Sequence, residues 1–313
     1  MRAIVVDEFD GTPHLADVPV PEPGAGDIQI QIKAAGINPF DAAIVRGALR
    51  DYMPHKFPLV LGMDGAGVVT AAGPGVAAFQ PGDRVYGQFH RPPAGLGTYA
   101  EYSLASVDGV VAKMPDGVNF EQAAALPVAT TTGWNLVRAA NVDMGQTVLV
   151  VGATGGVGQA ALQFAAAQGA TVIATAPPDA VTLVTGLGAT ATVDHTAGAL
   201  ADQVLSAYPD GLDAVIDTVG GRQAMGLARA IKTGGVLISA KGAADSDTLA
   251  EREIRGINFV NQTDGAQLGE LAALVDAGRV KVILDHIVPL ADAPAALERL
   301  LQGGSRGKTV IRL

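Results

Sequence analysis

The chain has 313 residues and a mass of 31.6 kDa, with 49% apolar and 17% charged residues. That apolar content excludes a disordered chain, and the length exceeds what one hydrophobic core usually supports. A formal charge of −10 excludes a binder of nucleic-acid backbones, and the lack of cysteine removes disulfides, thiolate metal sites and thiol nucleophiles together.

At the start of the chain, Asp7 and Glu8 interrupt the sequence before any apolar run suited to a secretory leader. The most apolar stretch, residues 147–176, is broken by glycines and glutamines, whereas a membrane span needs about 20 mostly apolar residues in a row. Aromatic residues, at 4%, are too sparse for a base-stacking platform. The expectation is a cytoplasmic protein without membrane or nucleic-acid partners.

The first 120 residues read as β structure punctuated by turns. The run Ile28-Gln-Ile-Gln-Ile32 has the period of two of a half-buried strand, and Pro-Glu-Pro-Gly, Gly-Pro-Gly and Gln-Pro-Gly-Asp segments mark turns. Repeated short strands favour a barrel or sandwich. From about Phe120 the pattern changes. A helix is predicted from Glu121, a buried strand over 145–152, a helix over 160–168 and a strand over 171–175. Further strands are predicted near 214–216 and 236–238, with helical stretches between them. Such alternation predicts a parallel sheet with helices on both faces. Helices over 268–277 and 293–301 and strands over 283–288 and 309–313 complete the chain.

The strongest local motif is an apolar strand, Val148-Leu-Val-Val, running into Gly152-Ala153-Thr154-Gly155-Gly156-Val157-Gly158 and then a helix. Glycines permit the tight turn, the approach of backbone to a pyrophosphate and close packing of helix on strand. The helix N-terminus supplies free N–H groups and partial positive charge to the anion. Asp179, 21 residues beyond Gly158, is either an acceptor for a ribose hydroxyl of NAD or a turn residue after two prolines. No Lys or Arg occurs between Arg138 and Arg222, so a clamp for the 2′-phosphate of NADP would have to come from elsewhere.

With these motifs in view, the chain resembles the zinc-free quinone oxidoreductase branch of the medium-chain dehydrogenase/reductase superfamily. Ala35-Gly-Ile-Asn38-Pro-Phe-Asp41, Leu61-Gly-Met-Asp-Gly-Ala-Gly-Val-Val and Pro81-Gly-Asp-Arg-Val-Tyr-Gly carry the resemblance. So do Gly97-Thr-Tyr-Ala-Glu-Tyr, Ala125-Leu-Pro-Val-Ala-Thr-Thr-Thr132, the glycine loop, Asp217-Thr-Val-Gly-Gly and Gly307-Lys308-Thr-Val. It implies an α/β fold made of a GroES-like β-barrel domain, 1–121 with 263–313, and a Rossmann domain, 122–262. It also implies an active cleft between the domains, NADPH or NADH as cofactor (NADPH on the resemblance alone), a small electrophilic substrate and a homodimer. The dimer contact is expected at the strand over 236–239.

Zinc-dependent relatives carry a cysteine near the position of Asn38 and Gly-His-Glu where Gly62-Met63-Asp64 stands. The five histidines, 14, 55, 90, 195 and 286, show no paired spacing, and a catalytic zinc needs three protein ligands, so no metal is expected. Hydride delivery to a quinone or α,β-unsaturated carbonyl is the implied chemistry. The alternatives are a non-catalytic dinucleotide-binding sensor and an enoyl-thioester reductase, for which Arg46, Arg50 and Lys56 would offer a basic entrance.

The resemblance places Asn38 beside the nicotinamide and substrate oxygen, where its amide would stabilise developing charge; a turn amide is the other reading. Asp41 reads as the N-cap of the next helix. Tyr52 is a candidate proton donor. Thr132 is implied as a cofactor contact, or as a hydroxyl bonded to its own helix. Val219 and Gly220 are placed at the carboxyl edge of the sheet. Ile238, Ser239 and Ala240 are expected to meet the carboxamide through backbone groups, and Lys308 either reaches back to the cofactor or is solvated.

Overall fold

The computed structural model describes residues 1–89 and 94–313, so His90 lies outside the described residues. The chain divides into two compact units, Met1–Val128 with Thr263–Leu313, and Ala129–Gln262.

The first unit opens with β1 (Arg2–Val6), β2 (His14–Asp17), β3 (Asp27–Gly36) and α1 (Pro39–Val45). Strands β4 (His55–Val60), β5 (Asp64–Ala72), β6 (Arg84–Gln88), β7 (Ala94–Leu96), β8 (Tyr102–Ser106) and β9 (Val110–Lys113) follow, and then α2 (Phe120–Ala124). The alternating run forms most of β3, burying Ile28, Ile30 and Ile32 while Gln29 and Gln31 stay partly exposed. A Cβ on Gly36 would lie 2.3 Å from the Ala124 carbonyl oxygen. That contact places α2 in this unit, and the break falls at Val128 rather than at residue 121.

Helix α3 (Pro127–Ala140) leads into the second unit: β10 (Thr147–Val151), α4 (Gly156–Ala167), β11 (Thr171–Thr175), α5 (Val181–Gly186), β12 (Ala191–Val193) and α6 (Leu200–Ala207), then β13 (Leu212–Asp217), α7 (Arg222–Gly226), β14 (Ile231–Ser239), α8 (Ser246–Ala250) and β15 (Arg255–Asn258). The order β12-β11-β10-β13-β14-β15 is parallel throughout. Strand β10 is a continuous apolar run because it lies between two neighbours in a sheet covered on both faces. Leu149, Ile173, Val215 and Leu237 form the centre of this core. Strand β14 pairs with β13 on one side and β15 on the other. Residues 236–239 have no open edge, so the strand expected to join two copies cannot do so.

The chain then returns to the first unit through α9 (Gly265–Asp276), β16 (Leu284–Pro289), α10 (Ala293–Leu301) and β17 (Lys308–Arg312). Strand β17 lies between β16 and β3 in a seven-stranded sheet, and β1, β2, β4 and β7 form a second sheet. No helix among the described residues is long and apolar enough to cross a membrane.

Candidate functional site

In the second unit, the glycines of the loop between β10 and α4 have separate jobs. Gly152 takes φ of +78°, in the left-handed region, and donates its N–H to Thr175 Oγ1 at the end of β11, 2.9 Å away. A Cβ on Gly158 would sit 2.1 Å from Gly152 O, so this residue sets how closely α4 packs on the loop. Gly155 is the N-cap of α4, and a Cβ there would meet nothing nearer than Gly152 O at 3.6 Å. No side chain caps α4, so the backbone N–H groups of Gly156 and Val157 are presented to whatever anion lies there. Ala153 is buried, and Thr154 turns its carbonyl to Gln159 Nε2 at 2.7 Å. The loop therefore fits the pyrophosphate of a dinucleotide.

The carboxyl edge beside the loop is held by a buried carboxylate. Asp217 Oδ1 accepts the N–H groups of Val219 and Gly220 at 3.0 and 2.9 Å, and Oδ2 accepts Ser239 Oγ at 2.6 Å. Ser239 Oγ in turn accepts the N–H groups of Lys241 and Ala243, both at 3.1 Å, and the Ala240 N–H goes to Asp217 O. Ser239 and the Ala240 N–H are thus committed to shaping the turns, and Ile238 lies buried in a strand paired on both sides. The hydroxyl of Ser239 and the N–H of Ala240 therefore hold the turns at this edge. Val219 remains exposed next to Gly152. Asp179 sits exposed in a single 3₁₀ turn after β11, and Thr132 is buried on α3.

The first unit contains a buried polar cluster. Asn38 is the N-cap of α1. Its N–H donates to Asp41 Oδ2 at 2.7 Å while Asp41 N–H donates to Asn38 O at 3.0 Å, so Asp41 is a residue of the first turn reaching back, and not the N-cap expected. Asn38 Nδ2 donates to Asp64 Oδ2 at 3.0 Å, and Asn38 Oδ1 accepts from Lys308 Nζ at 2.7 Å. Tyr99 donates its hydroxyl to Asp41 Oδ2 at 2.6 Å. Burial pushes the Asp64 carboxyl up to about 7 against the opposing charge of Lys308, and burial likewise pushes Asp41 up to about 6 against its hydrogen bond from Tyr99. Tyr99 is pushed well up by burial and by Asp41, and burial lowers Lys308.

Lys308 is 8% exposed, and its ammonium points to Ile37 O at 2.6 Å and to Asn38, so it is not the solvated lysine of the alternative reading. Tyr52 is 83% exposed, and the tyrosine that joins the cluster is Tyr99. Asp64, Tyr99 and Thr175 escaped sequence reasoning because their partners lie far along the chain. The segments around Asp64 and Tyr99 were visible, but not what their side chains would meet.

The same cluster does not fit zinc. Met63 stands where zinc relatives carry histidine, no cysteine exists, and Lys308 supplies the positive charge facing Asp41 and Asp64. Among the described residues no group of three or more His, Asp or Glu is placed to hold a metal.

A six-stranded parallel unit with a glycine-loop dinucleotide cradle, joined to a β-rich unit with its own polar cluster, defines a two-domain nicotinamide-dependent dehydrogenase or reductase. Comparisons with known proteins narrow the class. Residues 24–116 match the alcohol dehydrogenase GroES-like domain and residues 187–311 the zinc-binding dehydrogenase family. The quinone oxidoreductase of Mus musculus is 33% identical, over 100% of this chain and 98% of its own. The 2-methylene-furan-3-one reductase of Solanum lycopersicum is 32% identical over 95% of this chain and 74% of its own. The solved quinone oxidoreductase of Coxiella burnetii superposes with a TM-score of 0.89 at 30% identity, covering 100% of this chain and 99% of that one. The chain belongs to the quinone oxidoreductase branch of the medium-chain dehydrogenase/reductase superfamily, and it is an oxidoreductase.

Proposed function

We propose that this chain is a zinc-independent reductase that uses NADH in preference to NADPH to reduce quinones or α,β-unsaturated carbonyls. The observation that carries the reading is the uncapped start of α4 behind a loop in which close contacts require glycine at 152 and 158. When bound, a reduced nicotinamide supplies a hydride. The acceptor takes that hydride and one proton from water, giving a hydroquinone or a saturated carbonyl. The protein's part is to hold the pyrophosphate on the N–H groups at Gly156 and Val157, and to offer the Asn38 amide to the acceptor oxygen as charge develops there.

The preference for NADH is supported by charge. Asp179, exposed, follows β11, and Asp194, half-buried, follows β12. The Thr196 backbone N–H and then its hydroxyl hold the Asp194 carboxyl below the usual range, so it is ionised. With no Lys or Arg between Arg138 and Arg222, a 2′-phosphate would find carboxylates and a ribose hydroxyl would find an acceptor. The Met63 and Lys308 positions support the zinc-free part.

We also propose a homodimer through β15, the edge strand of the parallel sheet, whose outer side has no strand partner among the described residues. The single tryptophan, Trp134, is stacked on Phe164 of α4 at 4.9 Å and 4° between ring planes, and so reports on the helix that the loop opens. The test is paired titration of its emission with NADH and NADPH, followed by steady-state reduction of a benzoquinone and of an enone. Tighter NADH binding with turnover is expected. Tighter NADPH binding overturns the preference. Binding without turnover of either acceptor favours the non-catalytic sensor.

A further inference from the structure

A buried lysine is normally explained by the carboxylates near it, and Lys308 has two. Its hydrogen bonds go elsewhere, to the neutral oxygens of Ile37 and Asn38 at 2.6 and 2.7 Å, although Asp41 and Asp64 lie within electrostatic reach. The ammonium is aimed at the amide of Asn38.

We infer that Lys308 is a positioning residue for Asn38: it fixes which way the amide faces and polarises it, so that the second N–H of Nδ2 becomes a stronger donor to an acceptor oxygen that gains charge. The inference rests on the reading of Asn38 given above. The two ends of an asparagine amide are nearly the same in shape, and their neighbours decide which is which. An ammonium has only donors, and an ionised carboxylate only acceptors. With Lys308 at one end and Asp64 at the other, turning the amide over would set donor against donor at Lys308 and, in the ionised form of Asp64, acceptor against acceptor there.

The same contacts set its strength. A cation on Oδ1 draws electron density from Nδ2, and hydrogen bonds linked in series in a low-dielectric interior strengthen one another. Asn38 is 3% exposed, so water does little to screen this. Asp64 uses one N–H of Nδ2, and the other has no partner among the described residues. Lys308 is held for the task by its place at the start of β17, between β16 and β3. In effect, a fixed ammonium acts through an amide on the oxygen that a metal ion would otherwise polarise.

The decisive experiment compares wild type with Lys308→Met in benzoquinone reduction at saturating NADH. Cofactor affinity is read separately from Trp134 emission, and folding from circular dichroism. The expected result is kcat reduced roughly tenfold or more, on the scale of losing part of an oxyanion donor, with NADH affinity within twofold of wild type. Lys308→Met removes one buried partner, so a control covers the case in which it does not fold. The charge-balanced double variant Lys308→Met/Asp64→Asn is then measured in the same way, with the same expected loss. Asn38→Ala combined with Lys308→Met should be no slower than Asn38→Ala alone, because the lysine acts through the amide.

A second readout does not need turnover. 4-Nitrophenol, a phenol with a coloured anion, is titrated on the NAD⁺-loaded protein, and its bound pKa should lie lower in wild type than in Lys308→Met. An unchanged kcat in a folded variant overturns the inference. So does a loss that saturating NADH restores, which would return Lys308 to the cofactor, and so does an additive double variant. Absence of turnover in wild type defeats the proposed function instead, and the nitrophenol titration then decides whether Lys308 still tunes the amide.

Discussion

Gly155 and Gly158 belong to one loop but are glycine for different reasons. A methyl on Gly158 collides with Gly152 O at 2.1 Å, whereas one on Gly155 clears everything by 3.6 Å. Gly158→Ala should therefore destabilise by about 2 kcal/mol or more through forced backbone shifts, seen as a lower urea midpoint. Gly155→Ala should leave stability within about 0.5 kcal/mol yet weaken NADH binding, because its methyl would stand where the pyrophosphate approaches. Equal loss of stability in both variants would contradict this division. The buried carboxyls give a second residue-scale prediction. Unfolded, Asp41 and Asp64 lose their protons near about pH 4; folded, burial holds those protons until about 6 and about 7. Between these limits the folded chain binds more protons, so this contribution to stability is full below about pH 4 and lost as pH rises through 7. Asp64→Asn should flatten the part of the stability curve between about pH 5 and 8 that wild type owes to this carboxyl, measured by urea unfolding at a series of pH values.

Among the elements, α3 shows how a strand residue can govern a helix. Its first turn is tied by Val128 N–H to both oxygens of Asp64 on β5, at 3.1 and 3.2 Å. Asp64→Ala removes that acceptor, worth about 1 kcal/mol as a helix cap. It also takes from Lys308 one of its two facing charges, and breaking a buried pair costs about 3–5 kcal/mol. A total loss on the order of 3 kcal/mol or more is expected on these grounds, with Asp64→Asn costing less because its carbonyl can still accept. Chemical denaturation of the two variants side by side measures the difference, and a milder effect for alanine than for asparagine would refute it.

For the whole molecule, the open side of β15 is the place where a second copy would add its own strand. Strand β14, one position further in, is closed on both sides. Light scattering after size exclusion should give a dimer for wild type. Ile257→Lys, a charge placed on the half-buried edge strand, should shift the mass to a monomer with the circular dichroism spectrum kept. A monomeric wild type would remove the proposal. The first unit is built from both ends of the chain, since β17 pairs with β3 near residues 34–36. This pairing brings Lys308 to Asn38.

The sequence by itself determined the elements whose signals are local. The alternation of β3, the continuous apolar run of β10 and the glycine loop could all be read because period, turn chemistry and helix start depend on near neighbours. The quoted motifs carried the family for the same reason, being short and ordered along the chain. Tertiary structure alone decided the polar cluster. Asn38, Asp64, Tyr99 and Lys308 are scattered from one end of the chain to the other, and what each side chain faces depends on strand order and register. It also decided that Tyr52 stays in solvent while Tyr99 is buried, and that Ser239 holds a turn. Burial then set the charge states, because desolvation is a property of the folded surroundings and not of a residue's place in the sequence.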